Sequence, residues 1–236
     1  MHHPNLPYRI FPLGDAALTI DFGNTIDEIV NEKVLALYHQ LKTKPIQGMI
    51  EAVPAYSSLT IYYDPVRNFK KTKDNITAYD HVASQLHEHL QEPIPKTSTE
   101  SRQISIPVCY DSPFAPDLAS LAAAKNLTVP ELIGIHTERE YRVYMIGFLP
   151  GFSYMGEVDE RISAPRKAQP VAVRAGSVGI AGKQTGVYPF HSPGGWQIIG
   201  RTPLRFFDPA SDNPSLLKAG DIVRFISISK DEFTNH

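Results

Sequence analysis

The stretch HSPGGWQIIGRTPL, residues 191–204, holds two consecutive glycines, the single tryptophan of the chain and an arginine in a run that otherwise alternates like a β-strand. Successive strand side chains point to opposite sides, so Trp196, Ile198 and Gly200 fall on one face and Gln197, Ile199 and Arg201 on the other. Ser192, Pro193, Gly194 and Gly195 precede the strand with turn chemistry. Either glycine accepts a positive φ there, and the missing Cβ atoms let a ligand or another backbone come close. The arginine fork suits a carboxylate or phosphate, and Gln197 beside it offers a donor and an acceptor. A structural ion pair is the competing reading for Arg201.

The same texture extends upstream. Most of the fifteen glycines lie between Gly147 and Gly200, where they punctuate short β-prone runs such as GSVGIAG and GWQIIGR. That pattern predicts an all-β barrel or sandwich, closed by DIVRFISIS (221–229) as a last strand. Before it come the strand ISIPVCY (104–110), an alanine-rich helix near 116–125, and TVPELIGIH (128–136), where Thr128 and Glu131 form a capping box with Pro130 in the first turn. YRVYMIGF (141–148) alternates again as a strand.

The N-terminal part reads differently. AALTIDF (16–22) places Leu18, Ile20 and Phe22 on one strand face. A helix follows, with Thr25 and Glu28 as a capping box and Ile26, Val30, Val34, Leu37 and Leu41 at helical spacing. The strands GMIEAVPA and SSLTIYYD then lead to a second amphipathic helix carrying Ile76, Tyr79, Val82, Leu86 and Leu90. EPIPKTSTESRQ (92–103) lacks periodicity and reads as a linker. The expected fold class is therefore α+β: a small N-terminal α+β domain over 1–95, with two helices on one face of its strands, and a β-barrel domain over 96–236.

A chain of 236 residues with 42% hydrophobic and 20% charged residues has room for two such cores and the composition of a soluble protein. It has no apolar run of the roughly 18 to 20 residues that span a bilayer. The N-terminus MHHPNLPYRI has neither the basic nor the apolar region of a secretory signal, so the expected location is the cytoplasm. The net charge is −2 and the cations are scattered, which argues against a nucleic-acid or lipid partner. The single cysteine, Cys109, excludes an internal disulfide and sits in a strand-like run, where it reads as a small buried residue.

AGSVGIAGKQTG (175–186) resembles a phosphate loop, but the spacing rejects it. Ser177 stands where a Walker loop needs glycine, and Gln184 where it needs Ser or Thr. What remains is a glycine-rich run that either holds an anion on its backbone N–H groups or makes tight hairpin turns. His81, His87 and His89 lack the i, i+4 spacing of a metal pair and read as solvated helix residues, so no metal is expected. His136 at its helix C-terminus would favour that end by its charge, and His191 would face a pocket. No GxSxG elbow, kinase signature or dinucleotide fingerprint announces a catalytic residue.

The blocks LGDAALTIDFG, VPAYSSLTIYYDP, IPVCYD, APDL, IHTEREYRVYMIGFLPGFSYMG, AGSVGIAG, QTGVYPF, SPGGWQIIGRTPL and FFDP, in that order, resemble the family variously called KipI, allophanate hydrolase subunit 1 and the B-type subunit of 5-oxoprolinase. The resemblance covers nearly the whole chain. It implies a cyclophilin-like C-terminal barrel and a subunit, inactive or nearly so alone, of an ATP-dependent 5-oxoprolinase that works with A- and C-type companions to convert 5-oxo-L-proline to L-glutamate. It implies substrate or phosphate contacts from Gly176, Ser177, Gly179, Gln184, Thr185, Ser192, Gly194 and Gly195, a pocket wall at Trp196, and a carboxylate contact at Arg201. ATP is the implied co-substrate, and whether it binds this chain stays open. The cations Arg174 and Lys183 either strengthen anion binding beside the glycine-rich run or lie exposed. Two further readings follow from the same resemblance: a regulatory inhibitor that binds a sensor histidine kinase, and an allophanate hydrolase or urea carboxylase-related subunit.

Overall fold

A computed structural model describes residues 6–69, 76–92 and 101–235. The chain divides into two compact units, Met1–Glu100 and Ser101–His236. The linker expected over 92–103 falls mostly on 93–100, outside the described residues.

The first unit runs β1 (Arg9–Pro12), β2 (Ala17–Asp21), α1 (Glu28–Thr43), β3 (Met49–Pro54), β4 (Ser58–Tyr63), α2 (Pro65–Phe69) and α3 (Ala78–Gln91). Its strands form one antiparallel sheet in the order β1-β2-β4-β3. Leu18, Ile20, Leu59 and Ile61 of the central strands pack with Val34, Leu37 and Leu41 of α1 and Val82 and Leu86 of α3. The apolar spacing read from the sequence is thus the packed face.

Several local expectations are corrected. α1 starts at Glu28 and is capped by Asp27, whose Oδ1 accepts from the Val30 N–H at 2.9 Å, so the expected Thr25 box does not form. A carboxylate accepts that bond and also complements the helix dipole. Thr77 and Asp80 form a full capping box on α3, which leaves Ile76 outside the helix and exposed. His89 is buried rather than solvated, because it continues the Val82 and Leu86 face of α3. β1 and α2 had no predicted counterpart.

The second unit runs β5 (Gln103–Cys109), α4 (Leu118–Ala124), α5 (Val129–Thr137), β6 (Glu140–Ile146), β7 (Ser153–Gly156), a 3-10 turn (Glu160–Ile162), β8 (Val171–Val173), β9 (Ser177–Ala181), β10 (Gln184–Val187), β11 (Ser192–Gly194), β12 (Gln197–Arg201), β13 (Ile222–Ile228) and α6 (Lys230–Thr234). Seven strands close a barrel in the order β10-β7-β6-β13-β5-β12-β9, while β8 and β11 form a separate pair. Closure leaves no open edge. Its interior is filled by side chains such as Val108, Val143, Met155, Ile180, Val187, Ile199 and Phe225.

β13 lies parallel to β5, and a polar clamp fixes where that pair begins. Arg102, just before β5, donates from Nε to Asp221 Oδ1 at 2.9 Å and from a terminal nitrogen to Oδ2. Asp221 is only 4% exposed and also accepts the Lys218 N–H at 2.7 Å. Both carboxylate oxygens are therefore satisfied where burial would otherwise penalise the charge.

Leu37→Ala removes a fully buried side chain from the first unit, at an expected cost of about 2–5 kcal/mol. Ile29→Ala, on the exposed side of α1, should cost under about 0.5 kcal/mol. Denaturant titration of both variants checks the contrast; equal losses would contradict the packing described.

Candidate functional site

The glycine-rich run is a set of close backbone contacts. Gly176 has φ +81°, its N–H donates to Tyr188 O at 2.7 Å, and its carbonyl accepts from Thr202 N at 2.9 Å. A Cβ there would stand 2.3 Å from Thr202 O, so only glycine fits. The Gly176 amide is therefore already engaged within the protein. Ser177, 4% exposed, begins β9 directly opposite Arg201 of β12. Gln184, half-buried, opens β10 opposite Ala181 and Gly156.

Trp196 occupies a slot on the outer face of the barrel. It is 4% exposed and clusters with Phe152, Val173, Ala181, Tyr188 and Ile198. The rings of Phe152 and Tyr188 meet it edge to face at 5.4 and 6.5 Å, an arrangement aromatic quadrupoles favour. Gly179 and Gly186 floor the slot: a Cβ on Gly179 would lie 3.0 Å from Trp196 Cβ, and one on Gly186 would lie 3.1 Å from the indole ring.

The doubled glycine does not make the expected turn. Ser192–Gly194 is a strand paired with β8, and neither Gly194 nor Gly195 has a positive φ. Gly194 is needed for another reason: a Cβ there would fall 2.5 Å from the Tyr188 hydroxyl. The space above it holds a phenol. Gly195 is half-buried and its carbonyl accepts from Lys167 N at 2.7 Å. Ser192 Oγ is buried and has no hydrogen-bond partner.

β12 also departs from simple alternation. A bulge lies between Ile198 and Gly200, so Gln197 pairs with Ile180 and Arg201 with Ser177. Ile180 and Ser177 are three apart on β9, hence on opposite faces, and directly paired residues share a face. Gln197 and Arg201 therefore point apart, which corrects the expected shared face. Asp117 holds the irregular segment. Its N–H donates to Ile198 O at 3.0 Å, and its Oδ2 accepts the Ile198 N–H at 2.6 Å and pairs with Lys167 Nζ at 2.6 Å.

Arg201 emerges beyond the bulge, half-buried. Its Nε–H donates to Ala175 O at 2.8 Å, and its guanidinium carbon lies 5.7 Å from the centre of the Phe233 ring. Burial first, and then the charge of Arg174, lowers its pKa from the usual arginine value. The ion pair considered as its alternative role is not formed with any described residue. Lys183, by contrast, pairs with Glu160 at 2.6 Å.

Thr185 belongs to the barrel interior, in a chain of hydrogen bonds centred on His136. Thr185 Oγ1 donates to Gly179 O at 3.1 Å, so toward His136 Nε2, also 3.1 Å away, it accepts. Nε2 then carries the proton, and Nδ1 accepts from the Tyr110 hydroxyl at 2.8 Å. Every donor in the chain is used once. The ring stacks on Phe225 at 4.6 Å, and burial lowers its pKa to about 3. His136 is thus neutral, contrary to the expected charge at the α5 C-terminus. His191 is exposed, and Cys109 is fully buried with its thiol pKa raised by burial.

The structure thus brings Gly176, Ser177 and Arg201 together at one end, gathers Gly179 and Trp196 into the aromatic slot, and turns Thr185 inward. Asp117, Lys167, Tyr188 and Phe233 shape these contacts, and local sequence reading missed all four; Asp117, Lys167 and Phe233 act across long separations, and Tyr188 acts through the packing of its ring. Among the described residues no group of three or more His, Cys, Asp or Glu could hold a metal ion, and no helix is long and apolar enough to cross a membrane.

Residues 8–217 match the family described as carboxyltransferase domain, subdomain C and D. The chain is 46% identical over 228 residues to the B subunit of 5-oxoprolinase from Bacillus subtilis (strain 168), a match covering 96% of this chain and 95% of the relative. It is 38% identical over 222 residues to the B subunit of 5-oxoprolinase from Escherichia coli O157:H7, covering 92% and 95%. Among solved structures, that of TTHA0988 superimposes with a TM-score of 0.77 at 34% identity. The match covers 90% of this chain and 40% of that one, so this chain spans well under half the length of that solved protein.

The neutral His136 makes stability depend on pH. Below about 6.5 the unfolded chain binds a proton that the folded chain refuses until about pH 3. Its contribution is therefore full above 6.5 and falls as pH drops, by at most about 1.4 kcal/mol per unit within that window. Unfolding followed by Trp196 fluorescence between pH 5 and 7.5 should show this slope, and His136→Gln should reduce it to the part that His39 and His89, whose pKa values burial also lowers, contribute. An unchanged slope in the variant would contradict the assignment.

Proposed function

The chain belongs to the carboxyltransferase subdomain C and D family and groups there with proteins named as the B subunit of 5-oxoprolinase, and on that premise we propose that it is the B-type subunit of an ATP-dependent 5-oxoprolinase. The observation that carries this reading is the 46% identity sustained over 95% of a relative of that name. In the proposed assembly the chain acts with A- and C-type companions in the cytoplasm to hydrolyse the lactam of 5-oxo-L-proline to L-glutamate.

The chemistry explains why several chains would be required. A lactam is a resonance-stabilised amide and a poor electrophile, and ATP supplies the driving force to activate its oxygen. The glycine-rich run of this chain does not fit a nucleoside triphosphate, because the Gly176 amide is bonded to Tyr188 and no Walker lysine arrangement exists. We therefore place the nucleotide on a companion. This chain contributes fixed donors that meet negative charge as it develops, the role in which preorganised groups are most effective. Ser177 and Arg201, opposite each other on β9 and β12, form the substrate-facing end of that surface, with Gly176 setting the backbone beneath them. Gly179, Gly186 and Trp196 support it from the aromatic slot.

Reconstitution tests the role. The chain purified with its companions should give 5-oxoproline-dependent ATP hydrolysis that falls at least tenfold when it is left out. Full turnover without it would defeat the enzyme-subunit reading and favour a regulatory one.

A further inference from the structure

Several cations around the barrel loops have an acid beside them. Lys167 pairs with Asp117, Lys183 with Glu160 and Arg161 with Asp159. Arg201 and Arg174 have none within ion-pair distance among the described residues. Two residues place them at the same turn: Arg201 Nε donates to the carbonyl of Ala175, and Arg174 immediately precedes Ala175 in the chain. A guanidinium carries five N–H donors. In Arg201 one is engaged by Ala175 O, and the four on the terminal nitrogens have no protein acceptor among the described residues.

The surroundings hold Arg201 in this position. Phe233 of α6 lies against its guanidinium, and Phe114 backs that ring at 4.3 Å. The nearby carboxylates are directed elsewhere. Asp111 lies 3.9 Å from Cys109 Sγ, on the residue opposite Arg201 in β5, and Glu232 accepts from the Ser229 hydroxyl at 2.8 Å. Ser192, whose strand partner Val173 precedes Arg174, adds its unpartnered buried hydroxyl to the same end of the β8–β11 pair.

We propose that Arg174 and Arg201 form a subsite for a dianionic phosphoryl group, with the Phe233 ring as its platform. Two neighbouring guanidinium groups repel each other, and each matches two oxygens of a tetrahedral oxyanion. A phosphate dianion neutralises both; a single carboxylate leaves one positive charge uncompensated. The inference rests on the proposed function, in which the coupled hydrolysis releases the phosphoryl group of ATP as phosphate. It replaces the substrate carboxylate that the sequence resemblance assigned to Arg201 with a phosphoryl oxyanion.

The test is direct binding to the full chain, without companions, by calorimetric titration at low ionic strength. Inorganic phosphate is the first probe and 5-oxo-L-proline, a monocarboxylate, the second. Phosphate should bind saturably and at least tenfold more tightly than 5-oxoproline. Arg201→Met and Arg174→Met should each weaken phosphate at least tenfold, while Lys183→Met, which removes a cation already paired with Glu160, should leave it unchanged. Arg174 is exposed, so its variant separates binding from folding. No phosphate binding, equal loss in the Lys183 variant, or equal affinity for 5-oxoproline would overturn the proposal. Phosphate binding as expected, combined with full turnover of a complex lacking this chain, would leave the subsite standing and defeat the enzyme role alone.

Discussion

The direction of Arg201 is set by a single irregularity, the bulge between Ile198 and Gly200. In a regular strand, residues 197 and 201 share a face, and a one-residue shift sends everything beyond it to the other side. Such a shift leaves backbone groups without ladder partners, and a buried unpaired donor costs about 1–3 kcal/mol. β5 pairs with β12 only at Arg201, so Ile198 depends on Asp117 for both its N–H and its carbonyl. That use of Asp117 has a local consequence. The residue stands at the N-cap of α4 but makes no capping bond there, because its carboxylate is committed to Ile198 and Lys167.

The aromatic slot is the second consequence of the strand's shape. Glycine weakens a strand through its entropy and its lack of packing. At positions 179 and 186 the loss is offset by an indole that reaches the barrel backbone and is almost wholly removed from water. Tyr188 completes the arrangement by lying over Gly194. Glycines that look, in one dimension, like an opening for a ligand are here the floor and the side of a packed cluster. On the proposed reading, the ligand-facing chemistry belongs instead to the polar groups at the cluster's end, Ser177 and the two arginines.

The parts legible in the sequence are those governed by local rules. The capping box of Thr128 and Glu131 forms as its spacing dictates, and the alternation of AALTIDF and the helical spacing of Val34, Leu37 and Leu41 give the packed faces. What was not legible depends on distant partners. Nothing local distinguishes Asp27 from Thr25 as the cap until the chain shows which residue begins the helix. A bulge in GWQIIGR has no signature in those letters, and the residue that bonds the backbone beside it, Asp117, lies about eighty residues earlier. His136 looked like a cation completing a helix because its partners Tyr110 and Thr185 lie on β5's end and β10.

The distribution of polar groups bears on which part of a hydrolysis this chain would perform. Inside the barrel, His136 is neutral, fully buried and hydrogen-bonded on both nitrogens, so it has neither a free lone pair nor access to a substrate. Cys109 is sealed in β5 with its thiol form favoured by burial, the opposite of an activated nucleophile. His136 and Cys109 are thus withheld at the barrel's core, while the turn at Ala175 carries Arg174 and Arg201 with no acid in ion-pair distance among the described residues. In the proposed subsite those cations would bind and polarise an oxyanion. On the proposed reading, the general base belongs to a companion chain, and this one supplies the positive end of a shared site.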